Sequence, residues 1–178
     1  MCEQKTFAYR NRFSLLFFVA LALCTAKPSG AAIPHFEAGM SKVEHYVSSG
    51  YFVGGNRSVT LTHLKGVRRG PQSGGLERIV LDLQGVGEER DKAPYFQVNV
   101  SAEESRILVS IWADVAYDFD SEKLKQAFSK SSHVKSVNVI PRVEDGVATV
   151  EFVLKGGKKA KVEAFHLSNP ARIIMDVL

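Results

Sequence analysis

Two stretches of this chain spell nearly the same strand: LERIVLDLQG at 76–85 and NPARIIMDVL at 169–178. In an extended chain successive side chains point to opposite faces. The first copy therefore sets Arg78, Val80 and Asp82 against Ile79, Leu81 and Leu83. The second sets Arg172, Ile174 and Asp176 against Ile173, Met175 and Val177. The wholly aliphatic row of each copy is the core row, because burying apolar surface is what drives a sheet to pack. Arg and Asp, four residues apart, stand about 13 Å from each other along a strand and cannot pair within it. Each must find a partner on a neighbouring strand, in water or in a ligand. A strand unit precedes each copy (VTLTHLKGV before the first, TVEFVLKGGKKAKVEAFHLS before the second). The pattern implies a repeated unit that packs two small sheets face to face.

The remaining segments read as short strands between turns. KVEHYVSSGYFVGG (42–55) suggests one or two strands, and SVTLTHLKGV (58–67) alternates with strand spacing. RRGPQSGG (68–75) and GVGEERDKAP (85–94) are loops by composition. PYFQVNVSAEE (94–104), SRILVSIWADV (105–115), HVKSVNVIPRV (133–143), VATVEFVLKG (147–156) and AKVEAFHLS (160–168) are strands, with turns at EDG (144–146) and GGKK (156–159). One helix interrupts them: Leu124, Ala127 and Phe128 recur at helical spacing over 121–130, capped by Asp120 or Ser121. Strands at this spacing indicate an all-β sandwich or barrel with one helix.

The first 32 residues stand apart. Lys5, Arg10 and Arg12 precede the apolar run FSLLFFVALALC (13–24), and TAKPSGAA (25–32) follows. That order predicts a secretory signal peptide cut after Ala31 or Ala32, and so a periplasmic or otherwise exported protein. The apolar run is too short to span ~30 Å of hydrocarbon, so no transmembrane span is expected in the mature chain. Leu21-Ala22-Leu23-Cys24 half-resembles a lipobox, but the bulky Leu23 favours cleavage over lipidation. Four of the 23 basic residues and one of the 19 acidic ones lie in 1–32, which leaves 19 against 18. A near-neutral mature chain lacks the basic excess that nucleic-acid binding requires. Both cysteines, Cys2 and Cys24, also fall in this segment. The exported domain must then fold without disulfides, on its hydrophobic core alone, and has no thiolate for catalysis or metal binding.

Strand, glycine turn, strand, then the corner LSNPAR and alternating aliphatics with Asp resembles the closing signature of the AMIN domain family. HLSNPARIIMDVL is the sharpest part, ERIVLDLQG resembles the family's early strand, and the likeness covers about 58–178. The resemblance implies a mainly β fold, a β-sandwich of two small sheets, here with one short helix. It also implies a bacterial envelope module that binds peptidoglycan and localises a partner to the cell wall or septum. The expected organisation is a signal peptide at 1–32, a lead-in at 33–57 and the sandwich domain at 58–178. With no amidase or secretin domain after Leu178, a free-standing copy is expected. A second expectation is a protein–protein adaptor for a cell-wall amidase or type IV pilus secretin, reached by strand addition at an open sheet edge.

Arg78, Asp82, Arg172 and Asp176 are the candidate ligand residues, since guanidinium groups bind the carboxylates of peptide stems bidentately. The alternative, favoured on residue chemistry, is that they stitch adjacent strands. Trp112 shares parity with Ser110 and Asp114, opposite Ile107, Val109 and Ile111, which makes it a candidate for stacking on a sugar ring; packing under the helix explains it equally well. Tyr51, Phe52 and Tyr117 are further aromatic candidates. Lys65, Arg68 and Arg69 form a basic loop that either meets anionic polymer or is merely solvated. Asp114, Asp118 and Asp120 lie where the helix begins and suit its N-terminal dipole. The five histidines show no metal-ligand spacing, and no nucleophile motif is present. A non-catalytic module without cofactor or metal is expected.

Overall fold

The computed structural model describes residues 33–117, 120–142, 146–155 and 160–178. The expected signal peptide at 1–32, with Cys2 and Cys24, lies outside the described residues. So do Asp118, the GGKK turn and most of the EDG turn. In chain order the described residues form β1 (His35–Glu37), β2 (Ser49–Gly54), β3 (Leu61–Pro71), β4 (Glu77–Gly85), β5 (Phe96–Ser101) and β6 (Arg106–Trp112). Then follow β7 (Asp114–Tyr117), α1 (Ser121–Phe128), β8 (Val134–Arg142), β9 (Val147–Leu154), β10 (Val162–Leu167) and β11 (Arg172–Val177). The described residues form a mainly β sandwich of two sheets with one α-helix. One sheet has the order β1-β2-β5-β6-β9-β8 and the other β10-β11-β4-β3-β7. Among the described residues no helix is long and apolar enough to cross a membrane.

The repeat was expected to pack two sheets face to face; instead its two copies are neighbours within the five-stranded sheet, because their Arg and Asp residues complement one another edge to edge. β4 and β11 pair antiparallel, with Arg172 opposite Asp82, Ile174 opposite Val80 and Asp176 opposite Arg78. Their inward rows, Ile79, Leu81 and Leu83 with Ile173, Met175 and Val177, are all buried. They face the inward rows of the six-stranded sheet, among them Val98, Val100, Ile107, Val109, Ile111, Val150 and Phe152, in one continuous core. Each such side chain contributes roughly 1.5–3 kcal/mol relative to remaining exposed. That is how a chain without disulfides in this region holds two sheets together.

The structure alters several expectations from sequence. Residues 33–57, read as a lead-in, supply β1 and β2 of the six-stranded sheet, and Ile33–Leu178 form a single unit. β3 runs on through Arg68, Arg69 and Pro71, where the composition indicated a loop, because β4 offers it a partner out to Glu77. The single strand expected over 105–115 is two. The chain leaves the six-stranded sheet at Trp112, buries Ala113, and re-enters as β7 in the other sheet, parallel to β3. α1 starts where expected, with the Asp120 carboxylate accepting from Glu122 N at 2.8 Å. Its core side is Leu124 and Phe128 alone; Ala127 is exposed.

One acid lies on the core face. Glu77, at the start of β4, is only 1% exposed. It accepts from Arg69 Nη1 at 2.7 Å, Ser131 Oγ at 2.5 Å and His133 N at 3.2 Å. Arg69 also donates from Nε to the carbonyl of Ala127 at the end of α1 (2.8 Å), where a cation suits the helix dipole. One carboxylate thus joins β3, β4, α1 and the lead into β8. Burial alone would push the Glu77 pKa up, but Ser131, Arg69 and the His133 amide outweigh it and hold the pKa below the ordinary carboxylate value. A lowered folded-state pKa adds stability above the unfolded carboxylate range and loses it as pH falls through the folded value. Glu77→Ala should cost about 3–5 kcal/mol, as expected when one member of a buried pair is removed. Urea unfolding at neutral pH measures that loss, and the gap between wild type and variant should narrow as the pH is lowered through the acid range.

Candidate functional site

The sandwich has two outer faces, and the sequence-derived candidates are split between them. Arg78, Asp82, Arg172 and Asp176 lie together on the outside of the five-stranded sheet. Trp112 lies on the outside of the six-stranded one.

On the five-stranded sheet the antiparallel pairing of the repeat places each arginine across from the other copy's aspartate. At one end the contact is tight. Arg78 Nε donates to Asp176 Oδ1 at 2.7 Å and Nη2 to Oδ2 at 2.8 Å. Lys42 Nζ adds a third cationic contact to Asp176 at 3.5 Å, and the Asp176 side chain is fully buried. Val80, Ile174 and Phe165, with Leu167 against them, form a small apolar cluster on this outer face. The Arg78 guanidinium lies 5.5 Å from the Phe165 ring.

This end is covered by the chain between β1 and β2. Gly39 O accepts from His166 N (3.0 Å), Val43 N donates to Glu163 Oε1 (2.7 Å), and Val47 and Val162 exchange backbone hydrogen bonds at 2.9 and 2.8 Å. Residues 39–47 therefore form a strap along the edge of β10. The strap explains how outward-facing Glu163 and Asp176 come to be buried.

The other end of the pair is open. Both oxygens of Asp82 accept from Arg68, Nε at 2.6 Å and Nη2 at 3.2 Å. The opposing Arg172 Nε stands 3.7 Å from Asp82 Oδ1. A cavity of about 280 Å³ opens here, lined among others by Lys65, Asp82, Gln84, Arg90, Asp91 and Arg172. The basic group Lys65, Arg68 and Arg69 is thus part of a strand, with Arg68 turned to Asp82 and Arg69 to Glu77.

Trp112 belongs to an aromatic and amide surface. Its ring is 5.3 Å from that of Tyr95, tilted by 53°, and its backbone N donates to Tyr95 O at 2.9 Å. The guanidinium of Arg57 sits 4.4 Å over the other ring, Tyr95, in cation–π contact. Next to it His35, Tyr51, Arg57, Tyr95, Gln97 and Asn99 line an open groove of about 680 Å³. Tyr51 lies opposite Asn99, and Gln97 opposite Ser110. Ser110 and Thr149 hydroxyls meet at 3.3 Å on the same face. Trp112 remains 39% exposed, on the face opposite the core that α1 closes. Of the other aromatic candidates, Phe52 is a core residue and Tyr117 lies beside α1.

Tyr95, Arg57, Gln97 and Asn99 were not singled out from sequence. The alternation in YFQVNV, with Tyr95, Gln97 and Asn99 opposite Phe96, Val98 and Val100, was the available signal. Among the described residues no group of three or more His, Cys, Asp or Glu is placed to hold a metal ion.

The two ends of the repeat should respond differently to mutation. Asp176→Ala strands Arg78 and Lys42 against a buried site and should cost about 3 kcal/mol or more. Asp82→Ala removes a pair that solvent screens and should cost about 1 kcal/mol or less. Urea denaturation of the two variants side by side checks this, and equal losses would contradict it. No protein-family model matches the chain, and no curated protein matches it either.

Proposed function

We propose that this protein is an exported, non-catalytic module of the bacterial cell envelope that binds peptidoglycan and so localises a partner at the wall. The observation that carries the reading is the open face of the six-stranded sheet. Three aromatic rings, Tyr51, Tyr95 and Trp112, lie beside the side-chain amides of Gln97 and Asn99 and the cation of Arg57. A sugar presents apolar C–H faces and a rim of hydroxyl and acetamido groups. Aromatic rings accept the first through apolar contact, and amides donate to and accept from the second. Tyr51, Gln97, Asn99 and Trp112 sit on hydrogen-bonded strands, and Tyr95 is held by backbone hydrogen bonds to Asn56 and Trp112, so little conformational entropy is lost when a glycan settles on them. The expected export and the AMIN-like closing strand agree with this assignment.

The alternative reading is an adaptor for a cell-wall amidase or a secretin. It has its own observation: β8 is a terminal strand of its sheet. A cavity of about 380 Å³ lies beside it, lined by Tyr117, Leu124, Val137 and Val139 among others. A partner segment would add as a further strand and place an apolar side chain in that cavity. Co-purification with an amidase or secretin from a preparation free of peptidoglycan would favour this reading.

Sedimentation with purified sacculi tests the first. The protein should pellet with sacculi at low salt, and the double variant Tyr95→Ala, Trp112→Ala should bind roughly tenfold more weakly, equivalent to about 1.4 kcal/mol, while keeping its circular dichroism spectrum. Wild-type protein left entirely in the supernatant would overturn the proposal.

A further inference from the structure

The open end of the repeated pair has the features of a built anion site. Its rim is rigid. Gly85 N donates to Arg90 O at 3.1 Å, and Asn169 N donates to Asp91 O at 3.1 Å. The loop that carries Arg90 and Asp91 is therefore tied both to β4 and to the corner before β11. It lies so close that a Cβ on Gly85 would come within 2.3 Å of Glu89 O. With the Gln84 amide turned so that its oxygen faces Arg90, the oxygen accepts from Arg90 Nε at 3.2 Å and Nη2 at 3.3 Å, an orientation that satisfies both groups and holds that guanidinium. Lys65 is the extra residue of a β-bulge in β3, between Leu64 opposite Leu83 and Gly66 opposite Asp82. Bulges of this kind re-aim a side chain beside a site.

The chemistry of the cavity follows from how Asp82 is used. Its twin, Asp176, is held bidentately by the arginine opposite it. Asp82 instead gives both oxygens to Arg68, which comes from the neighbouring strand. Arg172 is left at 3.7 Å, and its Nε, shielded from water, has no hydrogen-bond partner among the described residues. A shielded donor without a partner is costly unless something accepts from it. Around this point Lys65, Arg68, Arg90 and Arg172 face two carboxylates, Asp82 and Asp91.

We infer that this cavity binds the carboxylate of a short peptide, with Arg172 as its fork and Arg90 as a second donor. A guanidinium offers two parallel N–H groups, which fit the two oxygens of one planar carboxylate. A singly charged carboxylate meets half the repulsion from Asp82 and Asp91 that a dianionic phosphate would meet in the same place. The volume, about 280 Å³, is at the small end of ligand pockets and suits a chain end, not a saccharide. Under the wall-binding function, on which this assignment of the peptide rests, the ligand is the carboxylate terminus of a peptide stem. The glycan then lies on one outer face of the sandwich and the peptide terminus on the other, which fits a module contacting more than one strand of the mesh.

An NMR titration tests the site, with D-alanyl-D-alanine, its C-terminal amide and inorganic phosphate as the three probes. The dipeptide should shift the amides of Gln84, Arg90, Asp91, Ala171 and Arg172 saturably; the amide-capped dipeptide should not, and phosphate should bind more weakly. Arg172→Gln and, separately, Arg90→Gln should each weaken dipeptide binding roughly tenfold, with the remaining spectrum unchanged as proof of folding. Absence of saturable shifts, equal shifts from the capped dipeptide, or tighter binding of phosphate would each overturn the inference. Dipeptide binding by a protein that does not sediment with sacculi would uphold this site while the wall reading fails. Sedimentation that depends on Trp112 without any dipeptide binding would leave the wall reading standing and remove this site.

Discussion

The pairing of β4 with β11 is the interaction on which the rest of the sandwich depends. Both strands carry Arg and Asp on one face with an aliphatic residue midway, and both carry an unbroken aliphatic row on the other. Turned antiparallel, such a pair sets Arg78 against Asp176 and Arg172 against Asp82, with Val80 against Ile174 between them. A parallel pairing in the same register would oppose like charges at both ends. Electrostatics and core packing therefore select the same arrangement, and strand pairing, sheet order and the floor of the core follow from it.

From that common origin the two ends diverge because their neighbours differ. At Asp176 the strap of residues 39–47 lies alongside and Lys42 reaches the same carboxylate, so the pair is drawn out of water and serves the architecture. At Asp82 the neighbour is β3, whose bulge at Lys65 and whose Arg68 take over the aspartate. The arginine opposite is released toward a cavity. One sequence motif thus yields a structural clamp and a candidate binding site four residues apart along the strand. Among the described residues no such strap lies on the outer face of the opposite sheet, where Trp112 stays exposed and the other aromatic and amide groups line an open groove.

Much of this was legible in the residues. The alternation in ERIVLDLQG marked β4 to within its observed bounds, and the aspartate before SEKLKQAF marked the start of α1. The parity of Trp112 with Ser110 pointed to the outer face, but it left packing under the helix equally open. Other features left no local trace. Alternation continues through IWADV, so the change of sheet at Ala113 is invisible in periodicity; it depends on β3 lying ready to receive Asp114–Tyr117. HFE (35–37) is too short to register as a strand and becomes one because β2 pairs with it. The grouping of Arg57, Tyr95 and Trp112 joins segments far apart in the chain. Arg68 and Arg69, adjacent in a run that looked like loop, point to opposite faces and do unrelated work.

By itself the sequence determined which side chains of the repeated strand face inward and that the strand belongs to a two-sheet fold, because side-chain period and apolar burial are local properties that one strand carries alone. Tertiary structure decided which aspartate each arginine meets, which end of the repeat is sealed and which is left open. Those outcomes depend on long-range neighbours, the strap over β10 and the bulged strand beside β4, and on the water each of them excludes.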